Sequence, residues 1–499
     1  MEDIKTFQDL EELGNNESAR MDFILAAINE HKSSTLYKTA VDAELYYEGE
    51  NPTINKYEKI LYDLQGRAHV DMWSANHKIA SNFFGFAVDQ ENGYLLGNGV
   101  SFSDAKTKDK LGTVTQRFDS QIQLAGQYAL IGGISFCLWN FDHIEVFKVT
   151  EFVPLMDEEN GSLRAGIRFW QVADNKPLRA TLYELDGFTE YVKRESEDLT
   201  ELRPKQTYKQ LVRQSEVSGT EIYGGENYPS FPIVPFMNNS KWKSEICGKR
   251  NTIDALDLAN SNMVNNVDEG NLIYWVLTNA GGMDDLDDQK FLDRLKTLHV
   301  VHTDDDVKAE AHTIEAPFTG TQTAIDNLIK QLYTNFQCFD SSAVSAGNQT
   351  ATAIKASYIP LDLKTDKFER QATKCINGIL SLVGIDDEPT YTRNQIVNKQ
   401  EEIQSVLMAA EYFDDEYITK KTLTILGDAD MFDEIMDRKA AEDLSRFSAE
   451  AEQMPPLEDE DTEEDTTDEE AAMSDEYLSS FGDEVMEMLQ NLLDSMDET

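Results

Sequence analysis

The chain reads as an α+β protein, and three observations carry that reading. Apolar residues at three-and-four spacing, the mark of a helix face, occupy the N-terminal and C-terminal parts. Between Tyr128 and Val192 the pattern changes to short apolar runs bounded by Asp, Asn, Gly and Pro, which is an antiparallel meander by spacing and turn chemistry. Further on, a strand, a helix and two more strands sit between two long helix patterns, as a small α/β insert carried on a stalk.

In chain order, Met21, Ile24, Leu25 and Ile28 predict a first helix, and residues 34–48 a second that stops at Glu-Gly-Glu-Asn-Pro52. Trp73, His77, Ile79, Ala80, Phe83 and Phe84 predict a helix over 71–86. Gly93–Val100 reads as a short strand closed by Asn-Gly, and 107–126 as a helix. The meander is expected as strands at 128–139, 143–153, 164–172 and 180–185; residues 193–228 are polar and give no clear pattern. Phe231–Phe236 must be extended, because residues before proline avoid the helical region.

A helix over 241–269 follows, rich in Asn at 260, 262, 265 and 266, which suggests a two-sided environment. The insert is expected as strand 271–278, helix 285–297 and strands 298–303 and 308–314. Ile325, Leu328, Ile329, Leu332, Tyr333 and Phe336 predict a helix over 321–339. Small polar residues from Asp340 to Thr350 then predict an exposed loop. A helix from Ala353 to Ile385 is interrupted by Pro360, where it must kink or restart. Residues 394–446 give two or three helices. A disordered acidic stretch over 449–473 and a last amphipathic helix (Phe481, Val485, Met488, Leu489, Leu492, Met496) complete the chain.

With 499 residues and 40% hydrophobic content the chain is long enough for several cores. Its net charge is −49. Residues Glu450 to Thr499 hold 20 acids and no Lys or Arg, so −29 remains on the rest. That balance argues against ordinary nucleic-acid binding, which needs cations to displace counterions, and against an anionic membrane surface. No apolar run reaches membrane-spanning length and no secretory leader is expected. Cys137, Cys247, Cys338 and Cys375 are far apart and are expected as reduced, mostly buried thiols.

Catalytic motifs are missing: no phosphate-cradling Gly-x-x-x-x-Gly-Lys loop, no His-Glu-x-x-His and no Gly-x-Ser-x-Gly. His299 and His302 fall on opposite faces of a strand. The acid clusters at 284–288, 304–306 and Asp428/Asp430 lack the spacing of a calcium loop. No catalytic residue, metal or cofactor is assigned. On the residues alone, a metal-dependent hydrolase using those acids and a minor capsid or scaffold-like head protein remain alternatives.

Several weak signatures occur in one order: Tyr46-Tyr47 with Gly49; Gly93-Tyr-Leu-Leu-Gly97; Tyr128-Ala-Leu-Ile-Gly132; Pro232–Phe236 with Asn238-Asn239; Ile253-Asp254-Ala255 with Asp257 and Ser261; and Ala353-Ile-Lys355 with Pro360-Leu361. Over residues 20–446 the chain resembles the portal proteins of tailed bacteriophages, of the siphovirus type infecting Gram-positive bacteria. The resemblance implies a portal fold: an N-terminal arm (1–29), a wing (30–240), stem helices (241–269 and 321–339) and a clip between them (270–320). A tunnel loop (340–352), a kinked helix leading to the wing (353–393) and a crown (394–447) would follow, then the acidic linker (448–473) and the terminal helix (474–499). It implies no enzyme but a dodecameric ring at one capsid vertex, passing double-stranded DNA and docking the terminase large subunit, a head-completion adaptor, the major capsid protein and a scaffold, in a virion assembled in host cytoplasm. By the same resemblance Ser342, Ser345, Asn348, Gln349, Lys355 and Lys364 are expected to face DNA, and Asp284, Asp287, Lys290 and Arg294 to form the clip's docking surface. An acidic conduit would repel phosphate and let DNA slide.

Overall fold

Ser34 ends one helix and begins the next. Its hydroxyl donates to His31 O at 2.6 Å and accepts from Tyr37 N at 3.2 Å, so a single residue closes α2 (Glu17–Ser33) and caps α3 (Thr35–Tyr47). Before them α1 (Phe7–Glu12) starts with a capping box from Thr6 and Asp9. The computed structural model describes residues 4–426 and 431–441, except 15, 64, 73, 105, 196, 216–218, 271–272, 279–307, 314–317, 343–350, 395–398, 433 and 440. The chain divides into two units, Met1–Val397 and Asn398–Thr499.

In the first unit, α4 (Pro52–Asn55) leads into a two-stranded hairpin, β1 (Ile60–Tyr62) and β2 (Ala68–Val70). The helix expected over 71–86 is replaced by a non-helical segment, 74–82, followed by α5 (Phe83–Leu96). Backbone N–H groups of that segment are taken by side chains of a later helix, as described below. The strand expected at 93–100 is therefore mostly the end of α5; only β3 (Val100–Ser101) is extended, pairing with β16 (Thr390–Tyr391). The helix expected over 107–126 is two, α6 (Thr107–Leu111) and α7 (Phe118–Gly132), so residues 128–132 are helix rather than strand. Glycine misled here because it serves close packing: a Cβ on Gly126 would lie 2.7 Å from Asn92 Oδ1, where α7 crosses α5.

Helix α7 stops at Gly133, whose φ is 91° and whose added Cβ would meet Trp242 O at 2.2 Å. The meander follows. Strands β4 (Ile134–Asn140) and β5 (His143–Lys148) pair antiparallel, with β13 (Ile233–Met237) on the other side of β4. A five-stranded antiparallel sheet orders β6 (Phe152–Met156), β7 (Leu163–Trp170), β8 (Leu178–Glu184), β9 (Gly187–Lys193) and β10 (Thr200–Gln206) as successive neighbours. Phe23, Ile24, Ala27 and Ile28 of α2 pack on it with Val153, Leu155, Ile167 and Leu182. The unread stretch 193–228 holds β10 and a separate hairpin, β11 (Lys209–Ser215) and β12 (Gly219–Glu226).

The expected helix over 241–269 begins only at Arg250, as α8 (Arg250–Gly270); residues 241–249 form turns, with Trp242 at φ 54°. Strands β14 (Ile273–Thr278) and β15 (Lys308–Thr313) pair antiparallel. The helix and strand expected between them lie outside the described residues. Helix α9 (Phe318–Phe336) packs against α8, and α10 (Ala351–Val383) runs without restarting through Pro360, which is exposed. The largest core joins α3, α5, α7, β4, β13, α8, α9 and α10 around Phe84, Leu95, Ile122, Phe236, Ile253, Phe336 and Ile376. Among the described residues Cys137, Cys338 and Cys375 are buried free thiols and Cys247 is an exposed one.

The second unit contains α11 (Lys399–Met408), a 3-10 turn and α12 (Asp415–Leu426), which buries Ile418 and Leu423. Residues 442–499, with the acidic stretch and the terminal helix, lie outside the described residues.

Candidate functional site at the joint of α5, α9 and α10

Where α9 ends, the chain turns sharply. Gln337 adopts φ 54°, a left-handed conformation that terminates a helix, and Cys338 N donates back to Tyr333 O at 3.0 Å. Phe339 is then held on both sides of its backbone by one side chain. Its N–H donates to Gln90 Oε1 at 2.8 Å, and Gln90 Nε2 donates to its carbonyl at 2.9 Å. The Phe339 ring stacks on Tyr358 at 4.0 Å between centroids with 6° between planes, and Tyr358 stacks on Tyr94 at 5.7 Å. Tyr94 donates its hydroxyl to Asp362 at 2.6 Å. Phe339 lies before residues 343–350 and Tyr358 after them, and both are tied to α5, through Gln90 and Tyr94. Stacked pairs of this kind add about 0.5–1.5 kcal/mol beyond burial.

Beneath the stack lies a buried ion cluster. Lys364 Nζ sits 2.7 Å from Glu91 Oε2 and 2.9 Å from Glu245 Oε1, and donates to Phe336 O at 2.9 Å. Lys249 also pairs with Glu245 and lies 4.4 Å over the Phe336 ring. Two cations thus face two carboxylates at the joint of α5, α9, α10 and the 241–249 turns. Burial pushes the Glu91 carboxyl up to about 7, against the pull of Lys364. Burial acts to raise Glu245 too, but Lys364 and Lys249 overcome it and leave it lowered. Burial works against the charged form of Lys364, and the two carboxylates outweigh it, so its ammonium is raised. Burial pushes the Cys338 thiol up to about 12.

This corrects one expected DNA-facing residue. Lys364 is 8% exposed and its ammonium is fully occupied inside the protein, so it points away from any passing ligand. Lys355 is exposed near the start of α10, and Ser342 is exposed, its N–H and hydroxyl both donating to Asp340 Oδ1. Ser345, Asn348 and Gln349, the clip residues Asp284, Asp287, Lys290 and Arg294, and the acids Asp428 and Asp430 lie outside the described residues. Among the described residues no cluster of three His, Cys, Asp or Glu side chains could hold a metal ion.

The signature residues noted in the sequence come together along α8. Tyr46 donates to Asp254 at 2.5 Å, and Asn51 donates to Asp254 at 3.0 Å and to Asp257 at 2.8 Å. The segment 74–82 then runs antiparallel to the helix. His77 N donates to Asn265 Oδ1 at 2.7 Å, Ile79 N to Ser261 Oγ at 3.0 Å and Ser81 N to Asp257 Oδ1 at 2.9 Å. Alternate backbone groups of the strap therefore meet every fourth side chain of the helix. Asn265 is buried by this use, which accounts for one of the asparagines. The i, i+4, i+8 series of Asp, Ser and Asn was the available signal.

A family model described as Phage portal protein, SPP1 Gp6-like, matches residues 27–445. The chain belongs to the phage portal protein family. Its relatives include the portal protein of Clostridium phage phiCD119, 23% identical over 395 residues, covering 72% of this chain and 84% of that protein. The portal protein of Bacillus phage SPP1 is 24% identical over 419 residues, covering 76% of this chain and 78% of that protein. Among solved structures, the neck of an empty gene transfer agent particle is 8% identical with a TM-score of 0.43, covering 69% of this chain and 90% of that one. The chain is a portal protein, its own fold is α+β, and portal proteins are virion components. Sequence reasoning found helices α9 and α10 at this joint but missed Gln90, Glu91 and Glu245.

Proposed function

We propose that copies of this chain close into a ring at one capsid vertex and form the conduit for double-stranded DNA during packaging and ejection, performing no reaction. Helices α8 and α9 serve as the stem, 270–320 as the clip, 340–352 as the tunnel loop, residues 30–240 as the wing and 394–447 as the crown. The observation that carries the reading is the rooting of the loop: Phe339 and Tyr358 stack on each other and fasten both ends to α5. A loop pinned at its base can be displaced by a moving duplex without dragging the stem helices along. The charge of −49 per copy supports a wall that repels phosphate. Asp284, Asp287, Lys290 and Arg294 would offer the clip surface to the terminase large subunit and then to a head-completion adaptor. Ser342, Ser345, Asn348, Gln349 and Lys355 would approach DNA. The shell partners would be the major capsid protein and a scaffold, assembled in host cytoplasm.

The test is electron microscopy of the purified chain, with and without deletion of 343–349. Rings with a central hole are expected from both proteins, with DNA packaging reduced in the deletion. Monomers at every salt concentration would overturn the ring, and unimpaired packaging by the deletion would overturn the tunnel-loop assignment.

A further inference from the structure

Two thiols touch inside the largest core. Cys375 Sγ donates to Cys137 Sγ at 3.8 Å, although the two residues are 238 positions apart in the chain. Both are fully buried, and both are free. Cys137 stands on β4 and Cys375 on α10, so the contact joins the three-stranded sheet to the long helix that carries Tyr358 and Lys364.

The backbones run close together at this point. Gly378 lies three residues beyond Cys375, on the same side of α10. A Cβ there would lie 2.8 Å from Val234 Cγ1, and Val234 is the partner of Cys137 in the β13–β4 pairing. A disulfide holds its sulfurs about 2.0 Å apart. Closing from 3.8 Å therefore asks each sulfur to move by about 0.9 Å, which is within reach of side-chain rotation.

The surroundings explain why the pair is free. The hydrogen bond to Cys137 and burial push the Cys375 thiol well up, so thiolate is scarce and bulky reagents are kept out. A hydroperoxide is small enough to enter a core that opens briefly. It oxidises one sulfur to a sulfenic acid: the O–O bond breaks, the sulfur gives up two electrons and keeps one oxygen as its hydroxyl, and the other oxygen leaves as water. The second sulfur then displaces that hydroxyl, which takes the remaining thiol proton and leaves as a second water while the S–S bond forms. In sum, two thiols and one hydrogen peroxide give one disulfide and two waters.

We infer that Cys137 and Cys375 are an oxidation site, a pair kept as thiols in reducing surroundings and closed by peroxide into a disulfide that staples β4 to α10. A virion component meets both conditions, reducing inside a cell and oxidising outside it. Because the staple joins residues 238 positions apart, it restrains the unfolded chain strongly.

The test takes the unaltered full chain, reduced or exposed to hydrogen peroxide, alkylates it after denaturation, digests it without reductant and maps it by mass spectrometry. The exposed thiol of Cys247 reports that the peroxide has acted. A peptide joining Cys137 to Cys375 is expected in most oxidised molecules, lost on adding dithiothreitol. The melting temperature should rise by about 5 °C on oxidation and fall back on reduction. Cys375→Ala should show neither change; should that variant not fold, the reduced and oxidised forms of the unaltered chain decide alone. Recovery of both residues as thiols after Cys247 has oxidised overturns the site. So does their recovery as separate sulfinic acids, or in disulfides with Cys247 or Cys338. A Cys137–Cys375 disulfide that leaves the melting temperature unchanged or lowers it overturns the staple.

Discussion

Helix α10 carries charge on two sides, and the sides behave differently. Inward, Lys364 is 9% exposed at its side chain and meets two carboxylates and a carbonyl. Outward, Asp362, Asp366 and Glu369 gather Arg393, which also lies 5.8 Å over the Tyr94 ring. Both clusters sit beside the same aromatic stack. The inner one can exist only if every charge is answered, because an unpaired ion there would be stranded in low dielectric. The outer one is partly exposed, Arg393 at 20% and its acids at 33–52%, so water screens it more than the inner one. The inner cluster therefore fixes how α5, α9 and α10 meet, and the outer one trims an arrangement already made.

The sharpest way to break this contrast is Lys364→Met. It leaves Glu91 and Glu245 facing each other with Lys249 alone, and should destabilise the chain by about 3–5 kcal/mol in denaturant unfolding. An effect within that of a surface substitution would place Lys364 in the outer class. Asp257→Ala is the intermediate case, stranding the Ser81 N–H and one of the two Asn51 amide hydrogens, the other staying on Asp254, and should cost about 2–3 kcal/mol. Its hydrogen-exchange protection should fall selectively at Ser81, and uniform loss along the chain would count against a local lock.

Titration sharpens the comparison further. Glu91 titrates near 7 when folded and near 4.5 as a free side chain, so the native state binds the extra proton between those values. Its contribution to stability is present below about pH 4.5 and declines as pH rises toward 7. Glu245 is lowered, so its contribution is lost only as pH falls below its unfolded value; the two windows do not overlap. Melts of the unaltered chain minus those of Glu91→Gln should drop from pH 5 to pH 7 and then level. A difference that stays flat across that range would remove Glu91 from the account. The smallest effect belongs to Arg393→Met, about 1 kcal/mol or less and shrinking in high salt.

How much of this was legible follows from where each residue sits. The strands between His143 and Leu185 were readable because short apolar runs end at turn residues; β6, β7 and β8 are buried on both faces over much of their length, which makes those runs continuous. Helix α5 was not, because Phe84, Ala87, Val88, Tyr94, Leu95 and Leu96 are buried around most of its circumference, leaving no stripe to detect. Glu91 is one acid among 93 Asp and Glu residues, and nothing local distinguishes it. Lys364 did carry a signal: it lies four residues before Phe368 and eight before Ala372, on the line that α10 buries, where a lysine needs a partner. Pro360 was read as a break, but it lies on the exposed side of a 33-residue helix that continues through it.

The strap along α8 works as a vernier. Two residues of extended chain advance about 6.7 Å, whereas four residues of helix advance about 6.0 Å, so each rung slips by about 0.7 Å. The three rungs, at 257, 261 and 265, nevertheless close at 2.9, 3.0 and 2.7 Å, so the strap absorbs the mismatch over this length. Three such rungs hold the strap in a single register on α8, and so fix where the β1–β2 hairpin that precedes it departs from the body.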